Sequence, residues 1–294
     1  MLSRHVMEQD GPDGLRRQFF NFAGVGIEAL TYDEMEARIG RWISNKADRS
    51  HHIACLNAYC IALSLKNHRL KAIYNRSDIP GPDGMPFVRW LRWLLKTPCD
   101  RIAAPDIALH LAERSRETGY TFYLYGGAPE VLEKVRTYLE VTFPHIRIVG
   151  VHSPPFRELT VEEDDAICEE ISSLQPDVIL VGLGTPKQDY WIDSHLERLR
   201  GSVIVASGAT FDFFGGRVNM APPWIRTSGF EWLYRLFGKD FRRLWSRYTR
   251  FHFLFLSRFL FQMVGLREYP VDRPSSAEPR RGRRSSLPPP TCSS

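Results

Sequence analysis

Several patterns that would settle a function at once are missing from this chain of 294 residues. Its five cysteines (Cys55, Cys60, Cys99, Cys168, Cys292) form no C-x-x-C pair and are odd in number, so neither a zinc site nor a disulfide framework is indicated. A reducing cytoplasm fits that usage. There is no Asp-x-Asp, the signature with which many sugar-nucleotide enzymes hold a divalent metal, and no H-x-x-x-H. The adjacent His51 and His52 would face opposite ways on a strand. The expectation is therefore no metal and no cofactor. A G-x-G-x-x-G after a strand is also missing, since Gly182-Leu183-Gly184 runs on into Thr185-Pro186-Lys187, which argues against a nicotinamide-dependent oxidoreductase. The opening MLSRHVMEQDGPDGLRR has no apolar core behind its charges, unlike a secretory signal. The apolar run FHFLFLSRFLFQMVG is 15 residues long with Arg258 inside it, short of the ~20 that a spanning helix needs. No internal repeat is found.

What is present is a core and an uneven charge. With 43% hydrophobic residues the chain can bury one sizeable core, or a core and a small appendage. The net charge of +5 is concentrated late: Arg235, Lys239, Arg242, Arg243, Arg247, Arg250, Arg258 and Arg267 face only Asp240 between positions 235 and 267, interleaved with aromatics. That mixture reads as a membrane-surface helix or a phosphate-binding face, with a packed helix carrying a solvated basic side as the plainer reading. Nucleic-acid binding is disfavoured, because long apolar runs would lie exposed. The final stretch PVDRPSSAEPRRGRRSSLPPPTCSS has little to bury and reads as disordered.

Between residues 50 and 207 short β-branched runs alternate with amphipathic stretches. Strands are expected at 52–56, 72–75, 121–125, 147–151, 178–182 and 203–206, with helices at 58–71, 85–95, 106–117, 130–142, 161–174 and 187–199. The pattern predicts an α/β, Rossmann-like, mostly parallel sheet with helices on both faces, plus a C-terminal basic-aromatic helical appendage. The expected organisation is a flexible N-terminus (1–20), an α/β core (21–230), a membrane-associating appendage (231–268) and a disordered tail (269–294). Ligands of such sheets collect beyond the carboxyl ends of the strands. There stand Asn57, Gly126-Gly127-Ala128-Pro129 and Gly182-Leu183-Gly184-Thr185-Pro186. Helix N-termini behind Gly126, Gly127 and Gly184 suit a phosphate or a sugar hydroxyl, although strand-to-helix turns use Gly and Pro for purely architectural reasons too. Asp83, in Gly81-Pro82-Asp83-Gly84, is the outstanding carboxylate, readable as a helix cap or as a general base.

Taken together, GLGTPKQDYW, SGATFDFFGGRVNMAPPW, GFEWLYRLF and FRRLWSRY in residues 182–248, with TFYLYGGAPE at 121–130 and LNAYC…GPDGMPFVRWLR at 56–92, resemble the WecG/TagA/CpsF family of bacterial glycosyltransferases. The resemblance covers roughly residues 20 to 250. It implies an inverting enzyme that moves a sugar from a UDP-sugar donor to a polyprenyl-diphosphate-linked saccharide acceptor during cell-surface polysaccharide synthesis, peripheral at the cytoplasmic face of the inner membrane. It places the general base on Asp83, with Asn57 and Gln188 beside the substrate. Arginines of the appendage (Arg235, Arg243 or its neighbour Arg242, and Arg247) are implied at the diphosphate, where a guanidinium forks onto two oxygens. Departures exist: Cys55 replaces a Thr, Asp189 a Glu, Ala104 a Gly before Asp106, and GKDF a proline before the Arg pair. Arg101 is expected to bind phosphate or pair with Asp106, while Thr210 and Asp212 are expected to shape the nucleotide pocket. Attachment through the C-terminal helix and homo-oligomerisation of the appendage follow from the same resemblance. A non-catalytic scaffold of a polysaccharide assembly complex is the rival reading, which leaves Asp83, Asn57 and Gln188 as coincidences.

Overall fold

Four strands carry sequences that suit burial on both faces: β4 (His51–Leu56), β6 (Thr121–Tyr125), β8 (Val178–Val181) and β9 (Val203–Ala206). The computed structural model describes residues 2–11, 16–46, 49–229, 231–236 and 248–273. In it these strands join β5 (Ile79–Pro82) and β7 (Arg147–His152) in a six-stranded sheet of order β5-β4-β9-β8-β6-β7, parallel throughout. Continuous apolar strands are what a sheet covered by helices on both faces demands. Alternation sorts the side chains: Phe122, Leu124, Val178 and Leu180 face the helices α1 (Tyr32–Ser44), α5 (Ala104–Thr118) and α6 (Pro129–Thr142). Tyr123, Tyr125, Ile179 and Val181 face α7 (Val161–Leu174) and α8 (Lys187–His195). The two prolines of β5, Pro80 and Pro82, are tolerated because β5 is an edge. The α/β class and the parallel sheet are as the sequence pattern leads one to expect.

Three local features differ from the expectation. The expected strand 72–75 lies inside α3 (His68–Arg76), and the strand comes later, at β5. Asn67 starts that helix by accepting the Leu70 N–H (2.9 Å), and Leu70, Ile73 and Tyr74 recur at helical spacing on its buried side. The expected helix 58–71 is accordingly two helices, α2 (Ala58–Ser64) and α3. Before the main sheet stands a small antiparallel one, β1 (Val6–Asp10), β2 (Arg16–Phe22) and β3 (Val25–Ala29), so part of the segment assigned to a flexible N-terminus is paired strand. Its β2–β3 turn is two residues, Ala23 (φ 52°) and Gly24 (φ 92°), both left-handed, which is the turn that matches the twist of a hairpin.

The small sheet, α2, α3, α4 (Met85–Leu95) and the C-terminal helix enclose a second apolar cluster. After α9 (Gly208–Phe214), α10 (Pro223–Ser228) and α11 (Glu231–Leu236), the last helix, α12 (Phe253–Met263), docks there by inserting Phe259 between Phe22 (5.4 Å) and Trp90 (5.3 Å). Gln262 is fully buried on that face. Its Oε1 accepts the Ala23 N–H (2.8 Å) and its Nε2 donates to the Asn21 carbonyl (2.9 Å). Among the described residues no helix is long and apolar enough to cross a membrane. Replacing Gln262 by Leu leaves a buried N–H and a buried C=O without partners. The expected cost is about 2–4 kcal/mol, read as a lower urea midpoint with α12 becoming the first site of proteolysis.

Candidate active site

The carboxyl ends of β5, β4, β9, β8 and β6 lie side by side, in that order, and Asp83, Asn57 and the loops at 182–186 and 126–129 follow directly on four of them, while Arg101 and Asp106 come from the loop after α4 and the start of α5. Crossovers run one way from β6 to β7 and the other way from β8 to β9, so the strand order reverses between β6 and β8, the crevice where ligands of open α/β sheets bind. Gly126 (φ 116°) closes that crevice tightly: a Cβ there would come within 2.7 Å of the Gly182 carbonyl carbon, so only glycine lets the two loops touch. Pro129 then opens α6 in its first turn, and Ser153 Oγ donates to the Gly127 carbonyl (2.7 Å). Gly184 (φ 79°) has open space where a side chain would project.

At the β4–β5 end, Leu56 pairs with Pro82, so the next residues on each strand, Asn57 and Asp83, emerge as neighbours. Asn57 caps α2, its Oδ1 accepting from the N–H groups of Tyr59 (3.1 Å) and Cys60 (3.2 Å). Its Nδ2 donates to Asp83 Oδ2 (3.1 Å). The capping bonds settle which end of the amide faces the carboxylate. Helix α4 begins after Gly84 (φ 142°), which is its N-cap, so Asp83 is not the capping residue. Cys55, on β4 just before, is a weak partner: burial first, and then the Asp83 charge, push its thiol well above the ordinary range, keeping it neutral.

Arg101 is committed to ion pairs. Its Nη2 donates to Asp106 Oδ2 and its Nη1 to Glu231 Oε2, while Arg226 Nη1 takes the other Asp106 oxygen. Burial disfavours the Arg101 charge, but the surrounding Asp83, Asp106 and Glu231 more than offset this and hold its proton more firmly than usual. Of the two roles expected for Arg101, the structure shows the pairing. The chain Glu231–Arg101–Asp106–Arg226 fastens α10 and α11 to the start of α5 and brings the base of the appendage to the Asp83 side of the sheet. Neither Arg226 nor Glu231 is singled out in the sequence reading; an ionisable pair separated by Thr227-Ser228-Gly229-Phe230 carries no signal before the fold brings it to Arg101. Tyr32, the first residue of α1, is likewise new: its hydroxyl is buried without a partner, near Asp106, Cys55 and Arg101.

Gln188 is a brace. Its Oε1 accepts from the N–H groups of Gly184 (3.1 Å) and Gly208 (3.0 Å), and its Nε2 donates to Thr185 Oγ1 (3.3 Å), tying the loop after β8 to the loop after β9. Thr210, in α9, is fully buried with an unpartnered hydroxyl, and the Asp212 carboxylate faces Arg217 at 3.6 Å. Arg235 lies in α11, whereas Arg242, Arg243 and Arg247 fall outside the described residues. The group of metal-type side chains found among the described residues, Asp164, Cys168 and His195, sits apart on α7 and α8. Its Asp164 is already bonded to His195 (3.0 Å) and Arg198.

A helix-flanked parallel sheet thus carries a paired carboxylate and amide at one strand end and glycine loops at two others, with α10 and α11 clamped beside them. The family model for "Glycosyl transferase WecG/TagA/CpsF family" matches residues 20–269, from within β2 to past α12. The chain belongs to the WecG/TagA/CpsF family of glycosyltransferases. It is similar to the N-acetylglucosaminyldiphosphoundecaprenol N-acetyl-beta-D-mannosaminyltransferase of Bacillus spizizenii, 28% identical over 184 residues that make up 63% of this chain and 69% of the relative. The Bacillus subtilis protein of the same name is 26% identical over 195 residues, 66% of this chain and 73% of that one. This WecG/TagA/CpsF member is thus an enzyme, a glycosyltransferase.

Asp189, beside the Gln188 brace, gives the stability of the fold a pH signature. Burial pushes its carboxyl up to about 7, and its Oδ2 has no hydrogen-bond partner. The folded protein holds this proton where the unfolded chain (carboxyl near ~3.9) has lost it, so the contribution falls as pH rises between about 4 and 7, by on the order of 4 kcal/mol in all. In urea titrations at pH 5 and pH 8, Asp189→Asn is expected to be less pH-dependent than the wild type by about 2–3 kcal/mol and the more stable of the two at pH 8.

Proposed function

We propose that this glycosyltransferase moves a sugar from a UDP-sugar to a saccharide carried on a polyprenyl diphosphate, inverting the anomeric carbon without a metal. The single observation that supports this most is the Asn57–Asp83 pair: a carboxylate that accepts from an amide at the carboxyl ends of adjacent strands. Asp83 takes the proton from the acceptor hydroxyl as its oxygen attacks the anomeric carbon. The bond to the UDP oxygen breaks on the opposite face, and the diphosphate carries away the electron pair. Charge developing on that diphosphate needs fixed donors. The N–H groups at the start of α6, after Gly126 and Gly127, and the guanidinium groups of Arg235, Arg242 or Arg243, and Arg247 fill that role in this reading. Arg101 and Asp106 act indirectly, by holding α10 and α11 in place.

A polyprenyl-linked acceptor stays at the bilayer, so the enzyme must work at its surface. Phe253, Leu256, Leu260 and Val264 form an exposed apolar stripe on α12 at helical spacing, opposite the face that docks through Phe259 and Gln262. In this reading the stripe attaches the protein peripherally, at the cytoplasmic face of the inner membrane, and a second copy completes the appendage. The names of the Bacillus relatives make UDP-N-acetylmannosamine and an N-acetylglucosaminyl diphospholipid the first donor and acceptor to assay. Asp83→Asn keeps the shape of the side chain but removes the base. It is expected to lower kcat by 10²–10⁴-fold, the usual share of general base catalysis, with an unchanged melting temperature and unchanged UDP binding. Retention of wild-type kcat rules Asp83 out as the base.

A further inference from the structure

At the opposite end of α2 from Asn57, a cavity of about 90 Å³ opens between Leu65 and Lys66 on one side and Leu254, Arg258, Arg267 and Tyr269 on the other. That is room for roughly three waters, too small for a nucleotide and suited to a single tetrahedral anion. Lys71, on α3, is near enough to the lining residue Arg267 for the two charges to interact, and its Nζ lies 2.9 Å from where a Cβ on Gly24 would sit. Burial first, and then the Arg267 charge, lower the Lys71 pKa, so two cations crowd together. Among the described residues no carboxylate pairs with Lys66, Lys71, Arg258 or Arg267. The neighbouring Glu268 instead bears on His5. Tyr269 adds an independent sign: only 8% exposed, it lines the cavity while its buried hydroxyl has no partner. Native proteins seldom bury a donor with nothing to accept it.

We propose that Lys66, Lys71, Arg258, Arg267 and the Tyr269 hydroxyl form a binding site for a phosphate group, separate from the Asp83 site. A phosphate accepts from guanidinium forks, ammonium groups and a phenol at once, and relieves the repulsion between Lys71 and Arg267. Leu254 and Arg258 lie on α12 beside the exposed stripe Phe253, Leu256, Leu260 and Val264, so a phospholipid seated here places its phosphate in the cavity and its chains along the stripe. This deepens the reading of peripheral attachment and rests on it for the lipid as the source of the phosphate; the anion site itself does not.

The test uses full-length protein, phosphatidylcholine vesicles with and without about a third phosphatidylglycerol, and, separately, a thermal-shift titration with inorganic phosphate. Lys71→Gln/Arg267→Gln is compared with Arg116→Gln/Lys134→Gln, an equal loss of charge on the exposed sides of α5 and α6. Lys66→Gln/Arg258→Gln probes the same cavity through different side chains if the first pair does not fold. The expected result is a loss of about tenfold or more in affinity for anionic vesicles relative to the control pair, with binding to neutral vesicles unchanged. If inorganic phosphate stabilises the wild type but not the cavity variants, while vesicle binding matches the control, the site stands and takes free phosphate. If the wild type ignores vesicles yet responds to phosphate through these residues, the membrane reading fails and the anion site survives. Cavity variants that match the control in both assays overturn the proposal.

Discussion

The bond from Asn57 to Asp83 depends on a register that the rest of the molecule enforces. Leu56 opposite Pro82 in the β4–β5 ladder sets the two residues at the same height beyond the sheet, and one step of slippage would separate them and turn every buried side chain of β5 to the wrong face. The register in turn rests on burial. Ile53 and Ile79 contribute to one apolar layer, while Ala54 and Leu56 contribute to the layer shared with the small antiparallel sheet. Asn57 cannot turn away either, because its carbonyl end is held by the first N–H groups of α2. In the proposed role of base, a carboxylate so held is oriented in advance, which is how an enzyme avoids reorganising its own dipoles during a reaction.

A second constraint joins the C-terminal third to this centre. The ion-pair chain Glu231–Arg101–Asp106–Arg226 fixes where α10 and α11 leave the core, and Gln262 with the Tyr269 carbonyl, which accepts from Asn21, fixes where α12 returns. Helices α10 and α11 are thereby held on the side of the sheet that carries Asp83, and α12 on the apolar second cluster. Buried and half-buried arginines make such anchors specific, because an unmatched guanidinium is costly to leave behind.

Much of the main sheet was legible because β6, β8 and β9 are short apolar runs between turn residues, and burial on both faces writes itself into composition. The stretch KAIYN misled because its β-branched and aromatic residues suit a short strand equally well; the Asn67 cap and packing beneath the small sheet decide for helix. The small sheet itself was missed, its hairpin turning on Ala23-Gly24 without the usual Asn-Gly signal. In the site, Asp83 and Asn57 stood out through local sequence. The pairing of Arg101 with Asp106 was one of two readings of a local spacing, but the Arg101 bond to Glu231, 130 positions away, and the Gly208 bond to Gln188, 20 positions away, left no mark in the sequence. Tyr32 and Arg226 were illegible for the same reason.

The most direct test of the account is to incubate the purified protein, with a chelator present, with UDP-N-acetylmannosamine and a synthetic N-acetylglucosaminyl diphosphoprenol, and to read the product by mass and by the one-bond carbon–hydrogen coupling at the new anomeric centre. The account predicts an acceptor one sugar heavier, an equal amount of free UDP, and a β linkage formed from the α-linked donor. An α linkage contradicts single displacement with Asp83 as base, and turnover that stops with the chelator and returns with a divalent ion contradicts transfer without a metal.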